Sequence, residues 1–175
     1  MSSYYRQQLE NYLQGLDVEA DLLYDIGGKQ KSAKGRTKTW KVKELVCLDI
    51  PEYDLNEPQN LDKKADFVLC LEVFEYLINP LQAMRNIANA LKVKGVAIVS
   101  FPFVYPIHNE VEFDSLRYTL SGIKRLADKA GLKIIDVSYR KCKTSTLVKY
   151  YEEDGMKMAK GHNHHITGYI IKFVK

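Results

Sequence analysis

The chain has 175 residues, 46% apolar and 27% charged, with twelve tyrosines; this suits one globular domain with its own core and excludes a disordered or fibrous chain. No run approaches the roughly 18 apolar residues of a membrane span, and the opening MSSYYRQQLE has no charged-then-apolar leader, so a soluble cytoplasmic protein is expected. The net charge of +4 is modest but uneven: between Lys29 and Lys43 stand seven basic residues and no acid, which reads as a solvated loop or, alternatively, as a surface for an anionic substrate or nucleic acid.

Taken in chain order, Tyr5, Leu9, Tyr12, Leu13 and Leu16 recur at helical spacing over residues 3–16, with Ser2 or Ser3 able to cap. Residues 22–26 form a short apolar run that ends in Asp25-Ile26-Gly27-Gly28, where paired glycines mark a sharp turn after a strand. Residues 44–50 repeat the pattern, finishing with Asp49 and stopped by Pro51. A third run, residues 67–71, leads into Glu72. Solid rather than alternating hydrophobicity is what a strand covered on both faces requires, so these runs predict a parallel sheet between helical layers.

Asn79-Pro80 reads as a helix start, with Leu81, Met84, Ala88 and Leu91 on one face and Gly95 closing the connection. Residues 96–101 (VAIVSF) are a fourth buried strand, and residues 121–130 a helix ended by Gly131. Residues 133–139 and 166–174 alternate in part and suit the edge of the sheet. Residues 140–165 remain open between a long hairpin loop, a helix and strand extensions. Cys47, Cys70 and Cys142 form no metal-like pair and read as reduced, structural thiols.

An acid at a strand's carboxyl end followed by glycines lets backbone N–H groups approach a ligand above a parallel sheet, and a second acid at the next strand's end can accept from ribose hydroxyls. Asp25 with Gly27 and Gly28, and then Asp49, occupy such places. Two strand-end acids 24 positions apart imply a nucleoside ligand, a weak signal by itself because the full GxGxxG is absent, with a plain turn as the alternative.

The segment ADFVLCLEVFEYLINPLQAMRNIANALKVKGVAIVSFPF resembles the central block of class I S-adenosylmethionine-dependent methyltransferases: a strand, an E-V-x-E-H turn, a helix opening with Pro, a K-x-G-G turn and the next strand. PFVYPIHNEVEFDSLRYTLSGIKRLADKAGLKI is similar to the family's active-site loop, R-Y-T helix entry and A-G-F-x-I strand, so the likeness spans residues 22 to about 139. It implies S-adenosylmethionine as cofactor, with Asp25, Gly27 and Gly28 under its methionine part and Asp49 on the ribose. It further implies that Asp54 and Leu55 flank the adenine and that Leu71 and Glu72 line the methionine end.

The departures are Lys29, Gln30 and Lys31 in place of further glycines, Tyr76 in place of His, and a lone Gly95 after Lys94. Only 17 positions separate Asp49 from Asp66, too few for the family's usual helix, strand and helix at about ten residues per helix and five per strand. The expected fold is therefore α/β: a Rossmann-like three-layer sandwich reduced at its outer edge, in the family order 2-1-4-5-7-6 with the last strand antiparallel. It fills one domain, residues 1–175, divided into an N-terminal helix (1–16), a core (22–139) and a C-terminal hairpin region (140–175).

Methyl transfer is an in-line displacement, in which a protein contributes alignment, exclusion of water and, for a hydroxyl acceptor, a base. His108, after the strand end FPFVYP, is the candidate base, with a surface histidine as the plainer reading; Tyr76 is the second catalytic candidate. Tyr105, Arg117 and Tyr118 are candidates for an acceptor pocket suited to a sugar or an anionic small molecule. His162, His164 and His165 lack the further ligands that a zinc site wants, so no metal is expected. The leading function is O-methylation of a small molecule such as a sugar or metabolite. The rival is a methyltransferase fold without turnover that binds protein or RNA, and a dinucleotide oxidoreductase is disfavoured by the missing GxGxxG spacing.

Overall fold

The computed structural model describes residues 3–107, 112–142, 153 and 165–175. Helix α1 (Tyr4–Gln14) starts where the Ser3 hydroxyl accepts from the Arg6 N–H at 3.2 Å, and it buries Leu9 and Leu13. Strand β1 (Glu19–Ile26) follows, then α2 (Gln30–Arg36), β2 (Lys41–Leu48), β3 (Ala65–Cys70) and a single 3-10 turn, Phe74–Tyr76. Helix α3 (Pro80–Ala90) leads into β4 (Leu91–Pro102), α4 (Leu120–Ala130), β5 (Lys133–Lys141) and β6 (Ile166–Val174). The predicted caps are in place: Asn79 accepts from the Gln82 N–H, and Gly131 ends α4 at φ 74°, in the left-handed region that glycine enters without strain.

The strands form one sheet in the order β2-β1-β3-β4-β6-β5, in which only β6 runs antiparallel to its neighbours. This is the expected order once the family's third strand is dropped. One face carries α3 and α4 over Tyr24, Val68, Val99 and Phe173; the other carries α1 and Trp40 over Leu23, Leu69, Ile98 and Ile170. The Trp40 indole N–H donates to the Leu13 carbonyl at 3.0 Å, tying the end of α1 to the approach to β2.

Three expectations are corrected. The basic run does not stay a loop, because residues 30–36 form α2 with Ala33 buried, and Arg36 is drawn inward by Asp25. The segment 166–174 is not an edge strand: β6 lies between β4 and β5 with Tyr169 to Ile171 buried, and β5 is the edge. Helix α3 passes directly into β4 at Leu91, so Gly95 sits inside the strand, at the irregularity where the pairing jumps from Ala65↔Leu91 to Phe67↔Val96.

Where the family's intervening elements are missing, residues 49–64 hold no helix or strand, yet Tyr53 and Leu55 are buried. A side chain from α3 takes over the backbone pairing that an element would have supplied. The fully buried Asn86 amide donates to the carbonyls of Leu55 (3.1 Å) and Glu57 (2.7 Å) and accepts from the Gln59 N–H (3.0 Å). Removing one partner from such a buried set strands the others, at about 1–3 kcal/mol per group. Asn86→Ala is therefore expected to lower unfolding stability by ~2–3 kcal/mol in urea titrations; a loss under about 1 kcal/mol would show the loop to be held otherwise.

Candidate active site

A parallel sheet opens its crevice at the carboxyl ends of its strands, where the connections diverge. In the register Asp25 stands beside Cys47 and Ile26 beside Leu48, and the Gly27 N–H donates to the Leu48 carbonyl at 2.7 Å. The turn after β1 is thus stitched to the end of β2, and Asp49 emerges across from it. Gly27 takes φ 75°, and a Cβ there would lie 2.4 Å from a Val73 methyl. At Gly28 a Cβ would lie 2.3 Å from the Asp25 carboxyl, so the glycine backbone closes directly over that acid.

Asp25 has no exposed surface, and neither carboxyl oxygen is hydrogen-bonded. The Arg36 guanidinium stands 3.9 Å away, beyond bonding distance. Burial therefore dominates over the pull of Arg36 and pushes the Asp25 pKa up to about 6. A buried carboxylate under a side-chain-free turn fits a ligand that brings positive charge and hydrogen-bond donors, as S-adenosylmethionine does. Asp49 differs: it is exposed, with Oδ1 accepting from the Ile50 N–H at 2.9 Å.

Glu72 takes a left-handed backbone (φ 58°) at the end of β3, which presents its carboxylate sideways to the β4 and β5 ends. Arg140, with no solvent exposure, donates from Nη1 to Oε1 (2.6 Å) and from Nη2 to Oε2 (3.1 Å), and the Ser100 hydroxyl donates to Oε1 (2.7 Å). Arg140 also donates to the Tyr5 carbonyl from Nε and Nη2, with its guanidinium carbon 3.1 Å from the Tyr5 ring centroid. Burial alone would raise the Glu72 pKa; the bonds and charge of Arg140, with the Ser100 bond, outweigh it and hold the carboxyl below its usual range.

Several other anticipated residues have duties of their own. Leu55 and Leu71 are core side chains, and Asp54 accepts from the N–H and amide of Asn56, closing its own turn. Tyr118 is buried against Phe74 and Phe101 and donates to the Phe74 carbonyl at 2.8 Å. Arg117 pairs bidentately with Asp114 and donates to the carbonyls of Tyr105, Pro106 and Leu116. The Tyr105 ring packs against Tyr5, centroids 4.4 Å apart and planes tilted by 36°, and Tyr76 is half-buried at the end of the 3-10 turn.

His108, the candidate base, lies outside the described residues, as do His162 and His164. Among the described residues no group of three His, Cys, Asp or Glu could hold a metal, and no helix is long and apolar enough to cross a membrane. Sequence reasoning missed Arg36 and Arg140, whose partners lie at other strand ends. The only sequence signal for Arg140 was a cation closing a strand where an apolar residue would otherwise be expected.

Residues 3–97 match the family model described as a methyltransferase domain, and the chain belongs to that family. It is a class I S-adenosylmethionine-dependent methyltransferase by family and fold. Solved structures agree in fold at low identity. A chain of the complex between the Haloferax volcanii Trm112 methyltransferase activator and a methyltransferase is 13% identical with TM-score 0.66, over 98% of this chain and 89% of that one. An S-adenosylmethionine-dependent methyltransferase from Mesorhizobium loti is 8% identical with TM-score 0.63, over 98% of both chains. The StiE O-MT is 13% identical with TM-score 0.64, over 97% of this chain and 74% of that one. No curated protein sequence matches the chain.

The buried acid has a pH signature in the unliganded protein. Because the Asp25 pKa is about 6 in the fold against an ordinary 3.8, the cost of its charge is absent below about pH 4, grows between the two values and is complete above about pH 6. Asp25→Asn is therefore expected to raise unfolding stability at pH 7.5 by about 2 kcal/mol, with the gain vanishing toward pH 4. Urea titrations at both pH values measure it; a variant less stable than the parent at pH 7.5 would contradict a strained carboxylate.

Proposed function

We propose that the protein transfers the methyl group of S-adenosylmethionine to an oxygen of a small molecule, at the carboxyl ends of β1 to β4. The single observation that carries the site is the unbonded Asp25 carboxylate beneath Gly27 and Gly28, next to an exposed Asp49 at the adjoining strand end. Within the family, the bound sulfonium supplies an activated methyl group. Asp49 accepts from the ribose hydroxyls, the glycine turn admits the backbone close to the methionine part, and Glu72, fixed by Arg140, bounds its far end.

Alignment and exclusion of water are then what the chain contributes. The 3-10 turn that carries Tyr76 would face the acceptor; Tyr76 and, from the sequence alone, His108 are the groups proposed to take the acceptor's proton. The StiE neighbour's description as an O-MT supports oxygen as the methylated atom. The Trm112 methyltransferase activator bound to one neighbour supports an activator protein as a partner of this chain as well. Arg117 is already saturated, so it gives no support to an anionic acceptor.

Isothermal titration with S-adenosylhomocysteine is expected to show binding in the micromolar range. Asp49→Ala, at an exposed position, should weaken it about tenfold or more, some 1.4 kcal/mol, without changing the unfolding midpoint. Unaltered affinity in that variant removes Asp49 from the site, and absence of binding to the parent protein removes the cofactor assignment.

A further inference from the structure

We propose that Arg36 is a specificity residue for the cofactor: it takes the carboxylate of the methionine part while Asp25 takes the ammonium beside it, so that the two side chains together require the whole zwitterion. This deepens the function proposed above and rests on it.

Helix α2 brings the arginine there by its spacing. Ala33, Arg36 and the capping Thr37 stand at i, i+3 and i+4, one face of the helix. Ala33 has no solvent exposure, and the buried Thr37 hydroxyl donates to its carbonyl at 3.0 Å. Arg36 shares that inward face, its side chain only 15% exposed, and its guanidinium stands 3.9 Å from the Asp25 carboxylate. Its charge is also felt at Cys47 of β2 and at Glu72 after β3, which sets it close to the carboxyl ends of β1, β2 and β3.

Neither member of the pair is finished. Both Asp25 oxygens are unbonded, and among the described residues no hydrogen bond reaches the Arg36 guanidinium. An ion pair that closes on itself draws N–H and oxygen to about 2.7–2.9 Å; at 3.9 Å this one keeps the attraction without the hydrogen bonds. Arg140 shows how the same chain closes such a pair, with bonds of 2.6 and 3.1 Å to Glu72.

An amino-acid head group carries an ammonium and a carboxylate on one carbon, which matches an acid and a base set side by side but not joined. The planar fork of a guanidinium suits a carboxylate bidentately, and the unbonded Asp25 oxygens suit ammonium donors. Pair and head group each sum to zero charge, so both are satisfied with no net charge buried. Lys29, Gln30 and Lys31 stand where further glycines would bring backbone N–H groups to a ligand; Arg36, at the far end of α2, supplies donors in their stead.

Calorimetry on the full chain tests this with S-adenosylhomocysteine, its decarboxylated analogue and methylthioadenosine, which carries neither charge. The parent is expected to bind S-adenosylhomocysteine at least about tenfold more tightly than the decarboxylated analogue. In Arg36→Met that ratio should collapse to about twofold or less, with methylthioadenosine binding kept as proof of folding. Arg36→Lys, with the charge but not the fork, should fall between, and it decides the matter if Arg36→Met does not fold. A ratio cancels any effect the substitutions have through Asp25, because both amine-bearing ligands share it. No preference for the carboxylate in the parent, or an undiminished ratio in the variants, overturns the inference and leaves the cofactor site standing. Absence of S-adenosylhomocysteine binding to the parent overturns the cofactor reading, and this inference with it.

Discussion

A guanidinium cut off from water cannot stand alone, and Arg140 has no solvent exposure. Leaving such a charge unpaired costs several kcal/mol, so its partners have to meet it. Glu72 does so from the end of β3, Ser100 of β4 steadies the same carboxylate, and the Tyr5 carbonyl brings in the first turn of α1. Four segments far apart in the chain are thereby drawn to one point at the carboxyl edge of the sheet. The left-handed backbone at Glu72 is the local strain accepted for that meeting.

The two acids at strand ends show how differently one fold treats the same group. Glu72 receives three hydrogen bonds and is held more acidic than usual, whereas Asp25, with its arginine 3.9 Å away and no hydrogen bond, is held less acidic. The first is finished by the protein itself. The second is left unfinished beneath a turn whose glycines keep side chains out of the way. Satisfying every buried charge serves stability best, and the unsatisfied Asp25 is the group on which the proposed cofactor site rests.

The fold is economical in the same sense. Dropping the outer strand and its helices exposes the flank of β2 and leaves a bare connection between β2 and β3, and a single buried amide, Asn86, satisfies two carbonyls and an N–H of that connection. At the opposite flank the antiparallel β6 inserts between β4 and β5, so that the edge falls to β5, whose Tyr12–Asp136 and Gln8–Lys141 contacts attach α1. The central β1-β3-β4 ends, on which the proposed site is built, are kept.

Local chemistry was enough to read most elements. Ser3, Asn79, Thr119 and Gly131 act on their own neighbours, and solid apolar runs announce strands covered on two faces, so these helices and strands, and the missing outer strand, were legible along the chain. The helix of residues 30–36 was not, because its polar face hides the fact that Ala33 and Arg36 turn inward. Nor could spacing reveal that Tyr118 would serve the core, that Arg117 would be consumed by its own loop, or that Arg140 would find Glu72. Those outcomes depend on which charges arrive together when the sheet closes, and pairing of that kind is a property of distance in space rather than of order in the chain.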